Sequence, residues 1–206
     1  MKKSMIILAI VLVLSTVGFA FGSIANVNIQ DIVSRFSDVS ENHWFAKTVA
    51  TLVERGGIDG YTDGTFKPQR EITQGEFIKT VVGSLHQELP LAKDGHWAMN
   101  YIRRAVELGY IEEGEYPEAN LNNIINRYQM AKIIVNAAEA QGETFMENPS
   151  SYIERIKDYN SIPVGYKELV LKAYTQGLLG GYPVGEFKGT RGLTRAEAAT
   201  AIVRIF

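Results

Sequence analysis

The chain has 206 residues, 46% of them hydrophobic and 21% charged, with a formal charge of −2. That is the balance of an ordinary globular protein long enough to bury a sizeable core. The absence of cysteine excludes a disulfide framework, a thiol nucleophile and a lipid-modified cysteine, and the slight acidity argues against nucleic acid, which wants a basic face.

The first 25 residues read as a signal peptide. Lys2 and Lys3 precede an apolar run from Met5 to Leu14, and the small residues Gly18 and Ala20, or Ser23 and Ala25, suit a cleavage site. The apolar core is short of the roughly 20 residues that span a bilayer, although an uncleaved anchor from Met5 to Ala25 is the alternative. Without the leader's two lysines the chain holds 19 basic and 23 acidic residues, an exported protein that no disulfide stabilises. Residues 26–35 form a lead-in, with Asn28 to Phe36 able to make a short helix.

From Phe36 the chain repeats itself. In the first copy, 36–86, His43-Trp44-Phe45-Ala46 opens a helix with Trp44, Phe45, Val49, Leu52 and Val53 as its apolar stripe. Gly56-Gly57 stops it, and Gly60-Tyr61-Thr62-Asp63-Gly64-Thr65-Phe66 is a turn-rich loop. Thr73 then starts a second helix with Phe77, Ile78, Val81, Val82 and Leu85 on one face. The second copy, 87–140, opens at His96-Trp97-Ala98, with Trp97, Tyr101, Ala105 and Leu108 as its stripe, and stops at Gly109. Its loop from Glu112 to Asn123 is degraded, and its second helix turns Met130, Ile133, Ile134, Ala137 and Ala138 inward. Residues 141–154 are polar and aperiodic, an insertion. The third copy, 155–206, buries Leu169, Val170, Ala173 and Tyr174, stops at Gly177, repeats the loop as Gly181-Tyr182-Pro183-Val184-Gly185-Glu186-Phe187, and ends in a helix burying Ala198, Ile202, Val203 and Phe206.

Two landmarks hold the register. Gly56, Gly109 and Gly177 each lie 18 residues before Gln74, Arg127 and Arg195, so glycine and helix start share the same offsets of 53 and 68 residues between copies. Each second helix begins with a capping-box pair: Thr73 with Glu76, Asn126 with Gln129, and Thr194 with Glu197. Arg127 and Arg195 then sit in the first turn, where the helix dipole offers a cation nothing. An anion shared between the guanidinium and the unpaired N–H groups would give them a reason to be there.

The strings Phe36-Ser37-Asp38-Val39 with His43-Trp44, Gly60-Tyr61-Thr62-Asp63-Gly64-Thr65-Phe66, and Leu193-Thr194-Arg195-Ala196-Glu197 together resemble the S-layer homology family over about Phe36 to Phe206. The resemblance implies a mostly α fold of three helix-loop-helix repeats in a pseudo-threefold arrangement, with grooves between neighbours. It implies non-covalent attachment to a secondary cell-wall polysaccharide bearing a pyruvylated amino sugar, with other surface proteins as further partners. It carries over Arg127 and Arg195 as anion contacts, Trp44 and Trp97 as groove walls, and Gly60 and Gly181 as points of close backbone approach. Asp38, Asp94 and Asp158, just before the first helices, suit sugar hydroxyls. Each has a plainer reading: the tryptophans also fall on apolar stripes, which favours core packing, and the aspartates suit helix caps.

The chain departs from the family where it matters. Gln74 replaces the arginine in the first copy, Gly114-Glu115-Tyr116-Pro117 replaces the second loop, and Gly165 stands in the tryptophan register of the third, leaving one or two competent grooves. Asp63-Gly64-Thr65 offers one carboxylate where calcium needs several, the histidines lack metal-ligand spacing, and neither a phosphate loop nor a nucleophile motif is present. The expectation is a binding protein of the cell surface, not an enzyme, with no metal or cofactor. The alternative is an exported scaffold for other proteins whose sugar grooves have drifted.

Overall fold

A computed structural model describes residues 28–86, 88–146 and 149–206. The leader therefore lies outside the described residues, as does the start of the lead-in. The fold is mostly α: α1 (Ile29–Val33), α2 (Ala46–Glu54), α3 (Gln74–Leu85), α4 (Met99–Glu107), α5 (Arg127–Ala140), α6 (Val164–Thr175) and α7 (Arg195–Ile202). Short 3-10 turns lie at Glu118–Asn120, Pro149–Arg155, Tyr159–Ser161 and Val203–Ile205. Among the described residues no helix is long and apolar enough to cross a membrane.

The local signals act as read. Thr73, Asn126 and Thr194 each accept from the backbone N–H three residues on, and Glu76, Gln129 and Glu197 each return a bond to the cap's N–H. Each cap stabilises its helix by about 1 kcal/mol. The first helices end at Gly56, Gly109 and Gly177, all left-handed with φ near 70°, where a side chain would be strained.

Neighbouring repeats interlock in a ring. α3 packs on α4, α5 on α6, and α7 returns to α2, so each second helix buries its apolar face against the next repeat's first helix. The segments before α3, α5 and α7 bridge one another pairwise: Glu71 with Thr194, Thr73 with Ile124, and Asn126 with Gly192. One core runs through all of it, from Leu52 and Phe77 through Tyr101 and Ile133 to Val170 and Ile202. α1 packs on α2 at the edge.

Two apolar assignments are corrected. α2 begins at Ala46, so Trp44 precedes the helix and its period does not apply; the indole is 64% exposed. At the C-terminus α7 tightens into a 3-10 turn that buries Ile205 and leaves Phe206 outside, its ring 3.9 Å beneath the Arg55 guanidinium.

Candidate functional site

Arg195 opens α7 but belongs to the first repeat's loop. Its Nε donates to the Phe66 carbonyl (2.9 Å) and its Nη2 to the Asp59 carbonyl (2.8 Å). The guanidinium lies 4.6 Å from the Phe66 ring centre and 4.8 Å from that of Tyr61. Arg127, opening α5, holds the third repeat's loop identically: Nε to the Phe187 carbonyl (2.7 Å), Nη2 to the Gly180 carbonyl (2.6 Å), with Phe187 and Tyr182 at 4.5 and 4.9 Å. Both side chains are buried, and desolvation pushes both guanidiniums below their ordinary range.

This arrangement corrects the expected anion site. The N–H groups of Arg195 and Ala196 donate to the carbonyls of Arg70 and Pro68, and those of Arg127 and Tyr128 to Arg191 and Gly189. The third N–H of each helix is held by its capping residue. Those helix N-termini already have partners, so an anion shared between backbone N–H groups and guanidinium has no place there. The arginines join one repeat to the next and leave a fixed positive charge behind the loop.

In front of each arginine is a groove, and the two grooves correspond position by position. The Trp97 groove, about 210 Å³, is lined by Ile58, Asp59, Gly60, Tyr61, Glu76, Lys79, Thr80, Leu91, Trp97 and Arg195. The Trp44 groove, about 230 Å³, is lined by Leu179, Gly180, Gly181, Tyr182, Glu197, Thr200, Ala201, Trp44, Arg127, Leu193 and Arg204. From Ile58 through Thr80 the linings match Leu179 through Ala201 at a constant offset of 121 residues. Each groove draws on all three repeats: loop and second helix from one, tryptophan from the next, arginine from the remaining one. Both volumes fall below the roughly 300–1,000 Å³ of typical ligand pockets, so each suits a single ring.

Sequence reasoning missed a further set. Tyr61, Arg70 and Glu76 interlock: the Arg70 Nε donates to the Tyr61 hydroxyl (2.7 Å), and its guanidinium pairs with Glu76. Tyr182, Arg191 and Glu197 repeat this at the same offset. A residue-by-residue alignment of the first and third copies at 121 would have exposed them. In the second copy the same positions are Gly114, Asn123 and Gln129, which cannot form it.

The other expected residues divide. Trp44 and Trp97 line the grooves. Asp38 and Asp158 are loop clasps: the Asp38 carboxylate accepts from the Phe66 and Lys67 N–H groups, at 2.7 and 2.8 Å, and Asp158 from those of Phe187 and Lys188. Asp94 is exposed and lines neither groove. Gly60 and Gly181 line the grooves, but the need for glycine comes from inside: a Cβ at Gly60 would sit 2.4 Å from the Phe36 ring, and one at Gly181 would sit 3.3 Å from Tyr174.

At the third interface Gln74 is buried. Its backbone N–H donates to the Asn123 carbonyl, but among the described residues its side-chain amide makes no hydrogen bond. Lys132 joins Glu112 and Glu115 at 2.7 and 3.0 Å. Tyr166, beside the missing tryptophan, stacks on Tyr128, and the buried Tyr116 hydroxyl has no hydrogen-bond partner among the described residues. Arginine, tryptophan, tyrosine and glutamate are all replaced there. Among the described residues no group of three or more His, Cys, Asp and Glu is placed to hold a metal.

A family model described as the S-layer homology domain matches residues 35–78 and 155–199, the two copies whose loops and second helices frame the grooves. Among curated proteins, an endoglucanase of Bacillus sp. (strain KSM-635) is 29% identical over 95% of this chain and 21% of its own length. An S-layer protein of Bacillus thuringiensis subsp. finitimus is 28% identical over 82% of the chain and 21% of its own length. A cellulosome-anchoring protein of Acetivibrio thermocellus is 33% identical over 40% of the chain and again 21% of its own. The chain thus spans about a fifth of each of these relatives.

Proposed function

Because the chain carries S-layer homology domains at residues 35–78 and 155–199, we propose that it is an exported, non-catalytic module that binds an anionic secondary cell-wall polysaccharide, with a pyruvylated amino sugar as the recognised unit. The observation that carries this reading is the duplicated groove: a cation fixed behind the floor and a tryptophan wall occur in both, each beside a Tyr–Arg–Glu cluster. Aromatic walls pack a sugar ring, and a charge held in a partly dry site acts on a carboxylate without rearranging. The cyclic order of the interfaces supports a pseudo-threefold arrangement. The anchoring and S-layer names of the relatives support a place at the cell surface, and the Lys2-Lys3 leader supports export.

The two grooves are not equal receptors. The Trp44 groove sets Arg127 and Arg204 against the single carboxylate of Glu197. In the Trp97 groove Asp59 and Glu76 balance Lys79 and Arg195, with Lys79 paired to Asp59 at 2.7 Å. The acidic sugar therefore belongs in the Trp44 groove.

The test is sedimentation of the purified protein with wall sacculi. Binding that salt and free polysaccharide reverse, and that disappears with sacculi stripped of the polymer, is the expected result. Equal binding to stripped sacculi would overturn the reading.

A further inference from the structure

Trp44 bounds a second space. Besides walling its groove, the indole lines an adjoining basin of about 540 Å³ with His43, Lys67, Gln69, Arg70 and Asp38, the last with its carboxylate bound to the Phe66 and Lys67 N–H groups. Of its two cations, Lys67 lies 4.3 Å from the Tyr61 ring centre and Arg70 bonds the Tyr61 hydroxyl. Trp44 is thus a partition between two open cavities.

The backbone of Lys67 is the unusual feature. Its φ is 55°, a left-handed conformation that glycine adopts freely and a lysine does not. The Asp38 carboxylate holds it there, accepting from its N–H. A residue kept in a strained conformation where glycine would be easier points to a use for its side chain. Here that side chain is a cation at the rim of a cavity walled by an exposed tryptophan.

The other repeats lack the combination. In the second, the positions of Lys67 and Arg70 are Asn120 and Asn123. In the third, Lys188 has the same backbone, φ 54°, and Arg191 is present, but Gly165 stands in the tryptophan register. Lys67 does have a partner, Asp63 at 2.9 Å, yet both side chains are substantially exposed. A pair so exposed holds weakly, and Lys67 can exchange it for an incoming anion at little cost.

We propose that the basin is a second subsite for the same polymer: with one sugar in the Trp44 groove, the next unit crosses the indole and sets an acidic substituent against Lys67 and Arg70. The inference rests on the polysaccharide-binding reading and adds to it. The ligand becomes a stretch of chain at least two units long, gripped on both sides of one tryptophan, and not an isolated terminal sugar.

Lys67→Gly tests this, because glycine relieves the backbone while deleting the cation. The protein and this variant are titrated with polysaccharide released from sacculi and with the methyl glycoside of pyruvylated N-acetylmannosamine. The variant should bind the polysaccharide about five- to tenfold more weakly, as for one charged hydrogen bond at an exposed site. Its affinity for the monosaccharide should be unchanged, and its thermal midpoint no lower than the parent's. Loss on both ligands, or on neither, overturns the subsite. If the parent protein binds neither ligand, the polysaccharide reading falls and the subsite with it; if it binds both and the variant matches it, the subsite alone falls.

Discussion

The Trp44 and Trp97 grooves share a plan and differ most in the charged side chains that line them. Where the Trp97 groove has Asp59 and Lys79, the Trp44 groove has Gly180 and Thr200 at the same offset; where one adds Leu91, the other adds Arg204. The scaffold positions a guanidinium, a tryptophan and a capping glutamate in both. The few variable positions then set the charge that a ligand meets. At these two interfaces the arginine joints are the same and the linings differ.

The largest effect tests the joints themselves. Arg127→Ala or Arg195→Ala removes a buried cation and leaves two loop carbonyls without their donors, which should destabilise the fold by about 3 kcal/mol or more, measured by denaturant unfolding. The two variants should behave alike despite facing different grooves. Normal stability in either would return that arginine to a purely ligand-facing role.

Next come the tryptophans. Trp44→Ala should weaken binding to sacculi by about 1–2 kcal/mol, the scale of an aromatic contact and its buried area, and Trp97→Ala by less. Trp44 is largely exposed, so its variant should keep its melting temperature, whereas Trp97 is packed against the core and its variant should lose some. The reverse order in binding would make the Trp97 groove the principal one.

A gain is expected from Asp59→Asn. It removes a carboxylate from the Trp97 groove and releases Lys79, and should raise affinity for the acidic polymer by roughly 0.5 kcal/mol, a figure kept small because Asp59 is exposed. No change in a binding titration would mean that the polymer does not enter that groove.

The smallest effect is an acid response confined to one loop. Hydrogen bonds from Thr65, then from Lys67, hold the Asp63 carboxyl down to about 2; the matching residue in the third repeat is Val184. A depressed carboxyl stabilises the fold above its unfolded pKa, near 3.8, and that contribution is lost as pH falls toward 2. Exchange of the Thr65 amide, which donates to the Asp63 carboxylate, should therefore quicken relative to an unprotected amide between pH 4 and 2, with no matching change at Glu186. Equal quickening in both loops would remove the distinction.

Much of the fold was legible from local rules. Capping boxes, helix-stop glycines and the 18-residue spacing depend on interactions within a few residues, and the helices begin and end close to where those signals stand. Trp44 was misread because a helical stripe was extended two residues before the first helical turn. The arginines were seen as unusual, but their partners lie far off in sequence: Arg195 holds carbonyls 129 and 136 residues away. No local pattern names such a partner. The aspartates were placed near the right loops, but whether Asp38 serves a sugar or a backbone depends on the distance to Phe66 and Lys67, which only the folded loop sets.

Read alone, the sequence places the helices, their number per repeat, the family they resemble and the positions at which each copy departs from it, because short-range hydrogen bonding and periodicity are written in adjacent residues. The tertiary structure decided which loop each arginine holds, that three repeats contribute to each groove, and which tryptophan stands free. Those outcomes follow from closing a chain into a ring, and ring closure brings together groups whose separation along the chain carries no energy of its own.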